Sequence, residues 1–193
     1  MAANFLSDHA APNFDDPLGL LSACHRRIER QLETLARLQR HLPEYGCDAD
    51  ARAAARGILR YFDTAAPNHH ADEEASTFPR LKAALPGRIE NLIADLEGDH
   101  TRLAIHWRKL RPLLAAIAGG QRANLSAKQV ADVTAAYDAH IAREENELIP
   151  LAAQVFDAAA LAEIGKEMAA RRGVSAAERA LTPIPVPPLR SIR

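Results

Sequence analysis

Histidine and glutamate recur in this chain at a spacing that suits metal binding. Residues 69–79 read HHADEEASTFP and residues 140–150 read HIAREENELIP. Aligned on Pro79 and Pro150, each copy places a histidine ten positions ahead of the proline and a glutamate four positions after that histidine, the skeleton His-x3-Glu-x5-Pro. On an α-helix, residues i and i+4 stand one above the other on one face. His69 with Glu73, and His140 with Glu144, would therefore each present an imidazole and a carboxylate to one point. Such a clamp suits a borderline or hard divalent ion such as iron, manganese or zinc, and no comparable array of thiolates is present. Two clamps facing each other would hold two metals.

In the first copy His70 and Glu74 share the i,i+4 spacing, turned about 100° around the helix axis. Alignment with the second copy favours His69 and Glu73. His70, Asp72, Glu74 and Glu145 are then expected to act behind the ligands or at the surface.

The frame that must bring the clamps together reads as helical. At 193 residues the chain is long enough for one domain with a real core. It is 48% hydrophobic and only 5% aromatic, rich in Ala, Leu, Arg and Glu, the profile of an all-helical bundle. A formal net charge of -1 argues against a nucleic-acid footprint or a membrane-surface protein. Cys24 and Cys47 are too few for a disulfide framework or a cysteine zinc site and fit a reducing compartment. The N-terminal MAANFLSDHAAPNFDD has no basic region followed by an apolar run, and no segment approaches 18 uninterrupted apolar residues. The expectation is a soluble, cytoplasmic protein.

Residues 1–15 read as an irregular arm, residues 16–173 as the helical domain and residues 174–193 as a proline-rich tail. Asp16-Pro17 is a helix start, carboxylate at the cap and proline at the first helical position. The first helix runs to about His41, with Leu18, Leu21, His25, Ile28, Leu32, Leu35 and Leu42 as its apolar stripe. Asp48 or Asp50 caps a second helix carrying Ile58, Leu59 and Phe62. Pro67 must kink or break it just ahead of His69, and Pro79 distorts or ends it. A third helix extends from about Arg88 to Ala118, bent in its later part by Pro112. Its stripe is Ile89, Ile93, Leu96, His100, Leu103, Trp107, Leu110 and Leu114.

Ser126 caps the fourth helix, whose inner face is Val133, Tyr137, His140, Glu144 and Leu151. Asp157 caps a short fifth helix that ends at Gly173. The tail, with four prolines in residues 183–188, is unsuited to helix and favours extended polyproline geometry. His9 and His41 read as exposed, His106 as flanking the third stripe, and Tyr137 as a core aromatic whose hydroxyl could reach a ligand on the open face.

The inward polar groups are then His25, His69, Glu73, His100, His140 and Glu144, at least one from each of four helices. Burying two carboxylates and four imidazoles without partners costs on the order of several kcal/mol per ion. A pair of divalent ions removes that cost. Pairing each histidine with its own i+4 glutamate accounts for helices 2 and 4 but leaves His25 and His100 without purpose.

An early helical His, HHxxEExxxFP, a His midway along the third helix and HxxxEExxLIP together resemble the hemerythrin-like, or HHE cation-binding, domain over about residues 17–155. The resemblance implies an up-down four-helix bundle around a non-haem di-iron centre, two iron ions joined by an oxo or hydroxo bridge. His25 and His69 would serve one iron, His100 and His140 the other, with Glu73 and Glu144 bridging both. Oxygen-carrying hemerythrins place a second histidine four residues after the third-helix ligand, where this chain has Ala104, and end the fourth-helix motif with aspartate at i+5, where this chain has Glu144 at i+4. Fewer imidazoles leave more open coordination positions, which favours reactivity or sensing over reversible carriage. Ferritin-like di-iron bundles need Glu-x-x-His on two helices, and here that spacing occurs only at Glu97 and His100.

The implied function is a di-iron protein that binds, senses or reacts with a diatomic ligand such as dioxygen or nitric oxide, or with peroxide, or that handles iron. The same ligands would equally serve an enzyme of nitric oxide or peroxide detoxification or of iron-centre repair, or a scaffold whose metal is structural.

Overall fold

The structure, a computed structural model, describes residues 13–175. Those residues fold into five helices, with no strand among them. Helix α1 spans Pro17–Tyr45. Helix α2 covers residues 49–84, with α-helical stretches Ala49–Arg60, Ala66–Asp72 and Phe78–Ala84 joined by wider π-helical turns at Tyr61–Ala65 and Glu73–Thr77. Helix α3 is Glu90–Ala118. Helix α4 covers residues 127–155, α-helical over Ala127–Arg143 and Ile149–Val155 with a π-helical turn at Glu144–Leu148 between them. Helix α5 is Ala158–Arg171.

Side-chain caps set several helix starts. Asp16 accepts from the Gly19 N–H at 3.0 Å and Asp48, not Asp50, from Ala51 at 2.8 Å. Ser126 accepts from Gln129 at 3.1 Å and Asp157 from Ala160 at 2.8 Å. Each occupies one of the backbone donors that a helix start leaves unpaired. Helix α1 outruns the expected end at His41: it carries Pro43 in its last turn and stops at Gly46, whose φ of 66° suits a residue without Cβ. His41 is correspondingly not exposed. Its ring lies 3.0 Å from Asp48 and stacks on Tyr45.

The prolines of α2 and α4 widen the helix rather than ending it. Pro67, Pro79 and Pro150 each lie six residues after the first residue of a π-helical turn. In every case the residue just before the proline donates its N–H five residues back: Ala66 to Tyr61, Phe78 to Glu73 and Ile149 to Glu144. Proline has no N–H and its ring collides with the carbonyl four residues earlier in an α-helix. One extra residue in the turn moves that carbonyl aside and lets the helix continue. Pro112, in α3, is accommodated without such a turn.

Helix α1 packs on α2 and α4, and α3 packs on the same two, so the four long helices form a closed ring of neighbours. Helix α5 lies against α1 and the middle of α2. An apolar cluster fills one end of the ring, including Ile28, Leu35, Ile58, Phe62, Leu110, Leu114 and Val133. A second, including Phe78, Leu81, Ile93, Leu96 and Leu148, fills the other. Phe14 of the N-terminal arm joins Leu20, Leu21, Ile164 and Met168 in a third beneath α5. Here a Cβ on Gly165 would overlap the Phe14 carbonyl, so α5 can meet the arm this closely only with glycine at that position. No described helix is long and apolar enough to cross a membrane. The proline-rich tail lies outside the described residues from position 176 onward.

Candidate metal centre

Between the two apolar ends the helices bury a polar layer. His25 follows Leu21 on α1 by one turn and precedes Ile28, and His100 sits between Leu96 and Leu103 on α3, so each replaces a leucine in an inward stripe. His69 and Glu73 come from α2, and His140 and Glu144 from α4. All six are 5% exposed or less. Both glutamates open a π-helical turn, so the backbone distortion begins at the carboxylate in each copy of the motif.

The side chains divide into two groups that share both carboxylates. Ligand atoms of His25, His69, Glu73 and Glu144 lie within 4.8 Å of one another, and so do those of His100, His140, Glu73 and Glu144. Glu73 turns Oε1 to His69 Nε2 at 3.3 Å and Oε2 to His100 Nε2 at 3.3 Å. Glu144 turns Oε2 to His25 Nε2 at 2.9 Å and Oε1 to His140 Nε2 at 3.3 Å. Each carboxylate thus spans the groups, one oxygen to each.

None of these atoms has a hydrogen-bond partner in spite of the close approaches. Among the described residues, twelve buried side-chain nitrogens and oxygens have no hydrogen-bond partner, and eleven of them belong to His25, His69, His70, Glu73, His100, His140 and Glu144. An unpartnered buried polar atom costs about 1–3 kcal/mol, so an arrangement that concentrates them in one place is costly as it stands. Lone pairs aimed at a shared point are what cations would satisfy.

Charge behaves accordingly. Burial, reinforced by the Glu144 carboxylate, pushes Glu73 well above the usual carboxylate range. Burial and the neighbouring imidazoles hold His69 well below its ordinary value, leaving it neutral with a free lone pair. Burial also lowers His140. At His25 burial opposes the charged form, but the Glu144 and Glu145 carboxylates outweigh it and hold the imidazole up at about 9.

A second layer orients the rings. Glu145 Oε1 lies 2.6 Å from His25 Nδ1, and Glu74 Oε1 lies 2.6 Å from His100 Nδ1. Asp99, paired with Arg143 at 3.0 Å, approaches His140 Nδ1 to 3.6 Å. In the neutral ring, a carboxylate on Nδ1 keeps the proton there and leaves Nε2 as the lone-pair atom. The Glu-Glu pairs at 73–74 and 144–145 therefore divide their tasks, the first residue facing the cavity and the second a histidine on a neighbouring helix.

His70 also reaches the cluster, which alignment of the two motifs did not anticipate. Its ring stacks on His100 with centroids 4.0 Å apart, and its ligand atom lies within 4.8 Å of those of His100 and His140. Burial and the nearby His100 bring it down to about 2. The corresponding position in the second motif is Ile141, so the repeat gave no signal. Tyr137 packs into the apolar core 5.6 Å from Phe62, and burial raises its phenol above the usual range.

Comparison with known proteins points the same way. The profile of the hemerythrin HHE cation binding domain matches residues 16–152. A Haemophilus influenzae protein, described only as uncharacterized, is 34% identical over 161 residues, covering 83% of this chain and 92% of that protein. With the match taking in both motifs and nearly all of the four long helices, this chain belongs to the hemerythrin HHE cation-binding domain family.

Proposed function

We propose that this protein is a non-haem di-iron protein, an up-down four-helix bundle that binds or reacts with a small diatomic ligand or peroxide. The supporting observation is the eleven unpartnered buried atoms, concentrated where all four long helices meet. In this reading His25 and His69 hold one iron, His100 and His140 the other, and Glu73 and Glu144 give one oxygen to each. Imidazole and carboxylate together suit iron, and the absence of clustered thiolates disfavours sites for softer ions.

When bound, an iron pair supplies Lewis acidity and one-electron chemistry toward dioxygen, nitric oxide or peroxide. The chain's own residues provide the setting. The apolar clusters on either side exclude bulk water from the layer between them. Glu74 and Glu145 hold the His100 and His25 rings in place while remaining partly open to solvent, with side chains 47% and 37% exposed.

Iron content and ligand response test this reading. Purified protein reconstituted anaerobically should hold about two irons per chain, as the paired ligand groups require, and show near-ultraviolet charge-transfer absorption once oxidised. His69→Ala and Glu144→Ala should each lose much of that iron; binding equal to the parent in both variants sinks the assignment. Separate additions of dioxygen, peroxide and nitric oxide to the reduced protein divide the roles. A reversible spectral adduct supports binding or sensing, and repeated turnover with an electron donor supports an enzyme.

A further inference from the structure

Among the described residues, nine polar or charged side chains are buried, and six of them are the cluster itself. The other three, Asp72, Ser76 and Thr77, all lie on or directly before the π-helical turn that Glu73 opens. Asp72 accepts from Arg171 at 2.7 Å and from Arg172 at 2.6 and 3.2 Å. Ser76 donates to Glu167 and accepts from Arg171, and its carbonyl accepts from Arg80 at 2.9 Å. Thr77 donates to the Asp72 carbonyl at 3.1 Å, across the turn. Helix α5 therefore grips the turn on both sides of Glu73. The matching positions of the second motif are Arg143, Glu147 and Leu148, and the only polar residue buried in that turn is Glu144.

Stability alone gives little reason for these contacts. Leu20 and Leu21 of α1 already dock α5 through Ile164 and Met168, and exchanging a buried ion pair for apolar side chains is often neutral or stabilising. What directional polar contacts add is a fixed orientation of the turn. Glu73 directs its two oxygens at His69 and His100, both at 3.3 Å, so a small rotation of the turn would disturb both ligand groups at once. We propose that Asp72, Ser76, Glu167, Arg171 and Arg172 are positioning residues of the metal centre, through which α5 fixes the turn that presents Glu73. This deepens the two-ion reading of the cavity and rests on it. The two carboxylates are then held unequally: Glu73 is clamped from α5, whereas Glu144 stands on a turn without a buried polar anchor.

The full chain, reconstituted with iron(II) without oxygen, provides the test. Ser76→Ala removes the hydroxyl that joins Glu167 to Arg171. Asp72→Ala combined with Arg171→Ala and Arg172→Ala removes the tether without leaving a buried charge unpaired. Met168→Ala is the control, since it opens the apolar contact of α5 and lowers the melting temperature while every polar contact to the turn stays in place. Ser76→Ala and the triple variant should release iron to a chelator at least about tenfold more readily than the parent, as loss of groups supporting a metal ligand does. The Mössbauer quadrupole splitting of the iron that remains should also move. Met168→Ala, less stable but still tethered, should match the parent in both readings. Circular dichroism checks helix content at the temperature of measurement, and should the triple variant be misfolded, Ser76→Ala and Met168→Ala decide. Iron release that simply follows melting temperature across the variants, or Ser76→Ala holding iron as the parent does with unchanged splitting, would show that the network only stabilises the fold and overturn the proposal. Failure of the parent to hold two irons would instead overturn the two-ion reading on which it rests.

Discussion

Glu145 Oε1 lies 2.6 Å from Nδ1 of His25, across 120 residues of sequence. Glu74 takes the same relation to His100, so the residue after each cavity-facing glutamate orients a histidine on another helix. Second-layer partners of metal-ligating histidines are typically worth about 10–100-fold in metal affinity. Glu74→Ala and Glu145→Ala should each weaken iron retention by about that factor with little change in helix content. Competition against a coloured chelator measures it. Retention equal to the parent in both variants would mean the contacts are incidental.

Pro79 and Pro150 make a second prediction. Each lies six residues beyond the carboxylate that opens a π-helical turn, and that turn is the local response to the proline ring. Substituting alanine removes the reason for the extra residue. Pro79→Ala and Pro150→Ala should leave the metal-free melting temperature unchanged or raised while weakening iron binding at least about tenfold, a trade of site geometry against helix regularity. Lower metal-free stability with normal binding would show that the prolines serve folding instead.

This relation also marks where sequence reasoning reached and where it stopped. Asp16, Ser126 and Asp157 could be read as caps because each acts on the backbone three residues away. His25 and His100 stood out because each interrupts an apolar stripe whose period is local. The π-helical turns were hidden, since proline in a helical pattern reads as a stop and only packing against α1 and α3 makes continuation worthwhile. Alignment of the motifs passes over His70 because the second has Ile141 in its place; its partners lie on α3 and α4, and nothing in local spacing reports them. His41 reads as exposed from sequence, whereas the longer α1 sets it against Asp48.

The link between α5 and the centre supports a third prediction. Asp72, the neighbour of Glu73, has a side chain only 1% exposed, and Arg171 and Arg172 reach it at 2.7 Å and 2.6 Å. Removing both arginines leaves a buried carboxylate without a counter-charge, which costs about 3–5 kcal/mol when a buried pair is broken. Because both guanidinium groups are partly solvated, Arg171→Ala with Arg172→Ala should destabilise the fold by about 3 kcal/mol, the lower end of that range. Adding Asp72→Ala should recover part of the loss. Denaturant unfolding of the double and triple variants checks this, and a triple variant less stable than the double would refute the account.

Acid stability tests the same junction through Glu167. Arg80 donates to both oxygens of Glu167, at 2.7 Å and 3.1 Å, and Ser76 donates to one of them. The Arg80 guanidinium, acting against partial burial and aided by Ser76, holds Glu167 below its ordinary 4.5. A carboxylate depressed in the folded state contributes stability that is fully present above its unfolded value and fades as pH falls through the folded one. Glu167→Gln should therefore be less stable than the parent near neutrality, with the gap holding down to 4.5 and closing at lower pH. With 38% of the side chain in solvent, the effect should be modest and should shrink further in high salt. Denaturant midpoints of the metal-free parent and variant across that range provide the measurement. A gap that stays constant into acid would mean that Glu167 contributes through packing and shape, and that its charge does not hold α5 against the turn carrying Glu73.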